Sequence, residues 1–194
     1  MTYDIIIVGL GKSARDEADT LKKFCTIGVN DVGDFLSPTY LLVLDKLGRF
    51  TQERVDTIEG TPANRAYVCH QDDWLLPHVR YGVTKLETKK FTHLQPEQWD
   101  LDKGPIPHFM TSPFAAIGLA YRFRSKNIGI IGMDLLRDHH MSKAAGKINK
   151  QLKVYRDLLA AKGVGLFNCS PIANLPALPF KPLMAMRPSK ARPA

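Results

Sequence analysis

The chain has 194 residues, 44% of them hydrophobic, and a net charge of +8. That is enough for one domain with a core of its own, and no apolar run is long enough for a membrane span. The N-terminus, interrupted by Asp4 and without a basic leader, does not read as a signal peptide, so a cytoplasmic location is expected. Cys25, Cys69 and Cys169 are widely separated, form no metal-type spacing and read as reduced, buried thiols. Half of the excess positive charge comes from Lys181, Arg187, Lys190 and Arg192, in a closing stretch without an acid. A main domain over 1–180 and a mobile, basic, proline-containing tail over 181–194 are therefore expected. A basic balance suits a polyanionic partner such as nucleic acid, or an anionic small ligand.

Tyr3 to Val8 is a short apolar run that stops at Gly9-Leu10-Gly11-Lys12-Ser13-Ala14. A run bounded in this way reads as a strand buried on both faces. The glycines let the chain turn sharply and let a ligand come close, and a helix opening near Ser13 would point free N–H groups at an anion. The stretch fits G-x-G-x-x-[GA] with Ala14 in the last place. A P-loop is excluded, because Ile6 stands where its first glycine would have to be.

Ala14 to Lys23 has helical composition. Thr26 to Val29 reads as a second strand that delivers Asn30-Asp31 to its C-terminal end. Tyr40 to Leu44 is a third strand ending at Asp45, Thr51 to Ile58 a short helix, and Arg65 to Cys69 a fourth strand ending at His70. This alternation argues for an α/β fold with a mostly parallel sheet and helices on both faces. Ligands of such sheets sit beyond the carboxyl ends of the strands.

The stretch 71–108 reads as strands and loops, an insertion, lid or acceptor-side region. It holds Trp74, Trp99 and Asp100-Leu101-Asp102, formally a D-x-D able to hold Mg²⁺ against a diphosphate. Thr111-Ser112-Pro113 opens a helix over Phe114 to Arg124, with a capping hydroxyl and a proline in the first turn. Asn127 to Gly132 is another buried strand, followed by Met133-Asp134 and a loop with Arg137, Asp138, His139 and His140. A helix from about Lys143 to Lys162 carries Ile148, Leu152, Tyr155 and Leu159 as an amphipathic stripe. Val164 to Phe167 is the last strand, ending in Asn168-Cys169-Ser170-Pro171.

Polar groups thus gather at one edge of the sheet. Main-chain donors at the glycine turn and at Thr111-Ser112 suit phosphate. Asparagine amides and serine hydroxyls suit ribose and base. His139 or His140 supplies a group titrating near neutral pH, as a general base needs. The segments IIIVGLGKSA, TIGVND, LLVLD, TSPFAAIGLAYRFRSKNIGIIGMDL and GVGLFNCSP together resemble small bacterial sialyltransferases that use CMP-sugar donors, and a wider set of bacterial and phage-encoded proteins assigned as glycosyltransferases.

The resemblance implies a single Rossmann-like domain of the GT-A kind with a lid, and no strict requirement for a metal cofactor, Mg²⁺ being optional. It implies donor contacts at Gly9, Gly11, Ser13, Asn30, Thr111, Ser112, Asn168 and Ser170, and a histidine base at His140 or His139. Lys12, Asp31 and Asp134 complete the expected donor site. The expected activity is transfer of a sugar from a nucleotide donor to a hydroxyl of a glycan or of a modified base in phage-type DNA. Three alternatives stand beside it. A similar glycine turn and Gly-x-Asp strand occur in Rossmann-like, ATP-dependent pterin diphosphokinases. An NAD enzyme would use Asp31, roughly twenty residues after the glycines, on the ribose. A nucleic-acid-binding module would act without catalysis.

Overall fold

The structure, a computed structural model, describes residues 3–70, 74–90, 99–109, 111–135 and 142–188. Strands β1 (Ile5–Val8), β2 (Cys25–Val29), β3 (Tyr40–Val43) and β4 (Arg65–Val68) are joined through helices α1 (Lys12–Asp16), α2 (Ala18–Leu21) and α3 (Gln52–Gly60). The short strands β5 (Val83–Lys85), β6 (Thr88–Lys90) and β7 (Ile106–His108) follow. Helix α4 (Ser112–Arg122), β8 (Asn127–Ile131), α5 (Ala145–Ala160) and β9 (Gly165–Asn168) complete the order.

Seven strands form one parallel sheet in the order β5-β4-β3-β2-β1-β8-β9. The protein is therefore an α/β, single Rossmann-like domain. Its central strand is β1, where Ile5 pairs with Cys25 of β2 on one side and Ile128 of β8 on the other. The chain winds outward from β1 through β2 to β5, then returns to the other side of β1 with β8 and β9. Such a reversal of strand order opens a crevice at the carboxyl ends of the strands.

The continuous apolar runs form strands because both faces of the sheet are covered. Ile5 and Ile7 point to the face packed by α4 and α5, with Ile27, Ile128 and Ile130. Ile6 and Val8 point to the opposite face, with Leu41, Val43, Ala14, Leu21, Val55 and Ile58. The α5 stripe, Ile148, Leu152, Tyr155 and Leu159, is fully buried. Helix α4 lies close under β7: a Cβ on Gly118 would sit 2.4 Å from Ile106 Cγ2. Its small residues are what the packing requires.

Several elements differ in detail from the expectations. The helical stretch after the glycine turn is two short helices broken at Glu17, whose ψ of 12° leaves the helical range. Within 71–108, β5 joins the main sheet as its edge strand, and β6 pairs with β7 in a separate two-stranded sheet. Residues 181–187 pack against the sheet. Lys181 N–H donates to the Asn168 carbonyl, Leu183 and Met186 are buried in the second core, and Arg187 N–H donates to Asp4 Oδ2 at 2.8 Å. The apolar side chains between the basic ones hold this segment against the sheet; Lys190 and Arg192 lie outside the described residues.

Trp74 and Trp99 are both buried. Trp74 Nε1 donates to the Asp45 carbonyl, and Trp99 packs against Phe109 and Tyr155 at ring-centroid distances of 4.8 and 5.0 Å. Neither ring is presented for stacking on a base, because each fills core volume. Cys25 and Cys169 are buried free thiols, and burial pushes both up to about 12, which keeps them protonated and unreactive. No helix among the described residues is long and apolar enough to cross a membrane.

Candidate functional site

A cavity of about 450 Å³ opens at the reversal of strand order, within the range of small-molecule sites. Its floor is the β1–α1 turn, Gly9 to Lys12, and the turn after β8, Gly132 to Leu135. One wall comes from the ends of β2 and β3: Asn30, Asp45, Arg49, Phe50 and Arg54. The other is the start of α4, Thr111 to Pro113, with Ile148 of α5.

The glycines hold the two floor turns together. Gly9 N–H donates to the Ile131 carbonyl and Gly11 N–H to the Gly132 carbonyl, both at 2.9 Å. A Cβ on Gly9 would lie 2.5 Å from the Gly132 carbonyl oxygen, and one on Gly11 would lie 2.6 Å from Asp134 Oδ2. On Gly132, at φ +77°, a Cβ would lie 2.5 Å from the Gly9 carbonyl oxygen and 2.8 Å from Ala14 Cβ. The small residues of the G-x-G-x-x-A pattern are thus demanded by the facing turn, whatever ligand the turn also admits.

The α1 N-terminus is already occupied by an anion of the protein's own. Asp134 Oδ2 accepts the Ser13 N–H at 3.0 Å, and Asp134 Oδ1 accepts the hydroxyls of Ser13 and Ser170. Ser13 Oγ also accepts the Gly132 N–H, and Asn168 Oδ1 accepts the Ser170 N–H at 2.9 Å. This network ties the turns after β1, β8 and β9 into one body. Ser13, Asn168 and Ser170 are buried within it and do not border the cavity.

Of the sequence-predicted residues, Gly9, Gly11, Lys12, Asn30, Thr111, Ser112 and Asp134 border the cavity. Asp31 does not: both its carboxylate oxygens are taken by Arg54, Nε at 3.1 Å and Nη2 at 2.6 Å. That bond raises the Arg54 pKa further above its ordinary value and leaves Asp31 no oxygen free of Arg54 for a ribose. His139, His140 and Arg137 lie outside the described residues. Arg49, Phe50 and Arg54 are cavity residues that motif reading missed. They sit in and after a 3₁₀ turn (Leu47–Arg49), where neither periodicity nor motif marks them.

Two polar atoms in the walls have no partner among the described residues: Asn30 Oδ1 and Thr111 Oγ1, both buried. Asn30 is also held at φ +53°, a left-handed conformation uncommon outside glycine. Thr111 is the N-cap residue of α4, yet its side chain makes no cap hydrogen bond. Buried polar groups are normally satisfied, so these two atoms are the features of the cleft that the described residues do not explain.

The D-x-D residues are engaged elsewhere. Asp100 Oδ1 accepts the Asp102 and Lys103 N–H groups, and Asp102 pairs with Lys162 and Tyr121. Among the described residues no cluster of three histidine, cysteine or acidic side chains could hold a metal ion. The Nδ1 of buried His108, at the end of β7, has no hydrogen-bond partner among the described residues. Burial lowers its pKa, Lys90 lowers it further, and the Phe109 backbone and Asp45 oppose the shift.

No protein-family model matches this chain, and neither a curated protein nor a solved structure matches it.

Proposed function

We propose that this protein is a nucleotide-sugar-dependent glycosyltransferase whose donor lies in the cleft at the ends of β1, β2, β3 and β8. The observation that carries the reading is a pair of buried oxygens without a partner among the described residues, Asn30 Oδ1 and Thr111 Oγ1, on opposite walls of that cleft. The amide oxygen suits an N–H or O–H donor of a base or ribose, and the hydroxyl suits a phosphate oxygen. The nucleotide would span the cleft from Asn30 to the start of α4.

The reaction would be direct displacement at the anomeric carbon. His140 or His139 takes the proton of the acceptor hydroxyl, the acceptor oxygen bonds to the anomeric carbon, and the bond to the donor phosphate breaks with its electron pair. Lys12 and the start of α4 steady the leaving phosphate. The acceptor is a hydroxyl of a glycan or of a modified base in phage-type DNA, and the +8 charge favours the polyanionic choice. A cytoplasmic site of action accompanies this reading. The NAD alternative loses support from Asp31, whose carboxylate is turned to Arg54.

The test is a thermal-shift panel of CMP, UDP, GDP, ATP and NAD with the corresponding nucleotide sugars, with and without Mg²⁺. A ligand that binds only the folded state raises the midpoint. A shift with a nucleotide sugar, followed by its consumption when an acceptor is added, supports the reading. Shifts with ATP or NAD alone overturn it.

A further inference from the structure

Asp31 and Arg54 form an ion pair that joins the end of β2 to α3. Arg54 is in the first turn of α3, and Asp31 follows β2. The guanidinium offers its Nε and Nη2 edge to both carboxylate oxygens, while its Cζ stands 4.7 Å from the centre of the Phe50 ring. A fork and a stacked face together fix the plane of the group. The remaining nitrogen, Nη1, has no hydrogen-bond partner among the described residues. Arg54 and Phe50 border the cleft and Asp31 does not. At this place the wall shows a ligand a guanidinium already held in place, with the Asp45 carboxylate beside it in the same wall.

Ordering a long side chain costs binding free energy when a ligand has to do it. Here Asp31 and Phe50 have done so beforehand, and a planar guanidinium suits the oxygens of a phosphate. Arg49 borders the same wall, its charge balanced there by Asp45, which it meets in a single bond at 3.3 Å. We infer that Arg54 is an anion-recognition residue of the cleft, that it binds a phosphate group of the ligand through its outer edge, and that Asp31 is a positioning residue that aims it. This rests on the cleft being the nucleotide site proposed above, and it gives the β3–α3 wall a phosphate contact of its own beside those of Lys12 and the start of α4.

The test is calorimetric titration with inorganic pyrophosphate, and in parallel with CMP and UDP, on the full chain and on Arg54→Gln, Arg54→Lys and Asp31→Asn. Arg54→Gln is expected to weaken pyrophosphate binding about tenfold or more, the loss expected for a charge-assisted hydrogen bond. Arg54→Lys keeps the charge without the fork and is expected to fall between. Asp31→Asn removes a negative charge, so electrostatics alone would tighten binding of an anion; weaker binding at an unchanged melting midpoint identifies positioning.

Equal pyrophosphate affinities for the full chain and Arg54→Gln overturn the inference, as does absence of pyrophosphate binding to the full chain. Tighter binding by Asp31→Asn overturns the positioning role. If Arg54→Gln does not fold, Arg54→Lys decides: full-chain affinity in it overturns recognition by the fork. If CMP and UDP bind and ignore Arg54, this inference fails and the nucleotide reading stands. If pyrophosphate binding obeys Arg54 while no nucleotide or nucleotide sugar binds, the nucleotide reading fails and the anion site stands.

Discussion

Asp134 accepts two hydrogen bonds from Ser13, one from its backbone N–H and one from its hydroxyl, across 121 positions of sequence. A residue at the end of β8 therefore caps the helix that follows β1. The carboxylate also accepts the Ser170 hydroxyl, so three turns converge on one buried side chain. Asp134→Ala would leave three donors without an acceptor. The expected loss is roughly 3 kcal/mol or more, since each unsatisfied buried polar group costs on the order of 1–3 kcal/mol. Urea unfolding of the variant checks this; a loss under about 1 kcal/mol would show that the carboxylate is not a strut of the floor.

The two floor turns predict a second effect. Gly132 is at φ +77°, and a Cβ there would meet the Gly9 carbonyl oxygen at 2.5 Å. Backbone on both sides of the contact leaves nothing flexible to give way. Gly132→Ala is expected to cost about 2 kcal/mol or more, from the left-handed conformation and the overlap together. The contrasting variant is Gly146→Ala, where a Cβ meets nothing within 4 Å; thermal melting should show a large drop for the first and none for the second.

How much of this was legible beforehand follows from what each element needs. The strands Ile5–Val8, Tyr40–Val43 and Asn127–Ile131 showed in the sequence because strands covered on both faces are apolar at every position. The α5 stripe showed because one face of a helix is buried. The glycine turn was visible as a pattern, but its partner was not. Nothing local in Gly9-Leu10-Gly11 says that Gly132 lies against it. The same holds for Arg54, which reaches Asp31 across 23 positions, and for Leu183 and Met186, whose burial depends on a groove that only the folded sheet provides. Spacing placed Asp31 where a ribose-binding acid would stand; a long-range ion pair turned it to another use.

Thr111 separates a binding role from a structural one. Its Oγ1 is buried and has no partner among the described residues. Thr111→Val replaces it with a methyl of similar size. The unliganded variant is expected to melt at or above the parent temperature, because an unsatisfied polar atom has been removed. Its affinity for the nucleotide that shifts the full chain is expected to fall about tenfold. Unchanged affinity would remove Thr111 from the donor site.

His108 gives the pH dependence a sign. Its pKa lies below the ordinary 6.5, chiefly because burial disfavours the charged ring. Above about 6.5 the imidazole is neutral in the folded and the unfolded chain alike, and its contribution to stability is fully present. As pH falls below that value the unfolded chain takes up a proton that the folded chain resists, and stability is lost until the folded-state pKa is reached. Denaturation midpoints at about pH 7.5 and about pH 5.5 should therefore fall more steeply for the parent than for His108→Gln. Parallel lines would mean that the ring takes up its proton alike in the folded and the unfolded chain, with the Phe109 backbone and Asp45 offsetting burial and Lys90.

The C-terminal segment supplies the last prediction. Leu183 and Met186 are 5% and 3% exposed and cover the face of the sheet that carries Ile6 and Val8. Met186 Cε would lie 3.3 Å from a Cβ on Gly129 of β8, so the segment fills space above a strand that has no side chain there. The Arg187 N–H satisfies Asp4, itself buried and bonded to Asn127 Nδ2 at 2.8 Å. Removing residues 181–194 would expose β1, β8 and a carboxylate at once. Each buried aliphatic side chain is worth about 1.5–3 kcal/mol, so the truncated protein is expected to lose at least about 3 kcal/mol. Leu183→Ser with Met186→Ser in the full-length chain should reproduce most of that loss. Neutralising Lys181 and Arg187, as Gln, should reproduce little of it, because the segment is held by its apolar side chains and backbone bonds rather than by its charge. Urea unfolding of the three variants compares them directly; a truncation that unfolds like the parent would return residues 181–187 to the status of a tail.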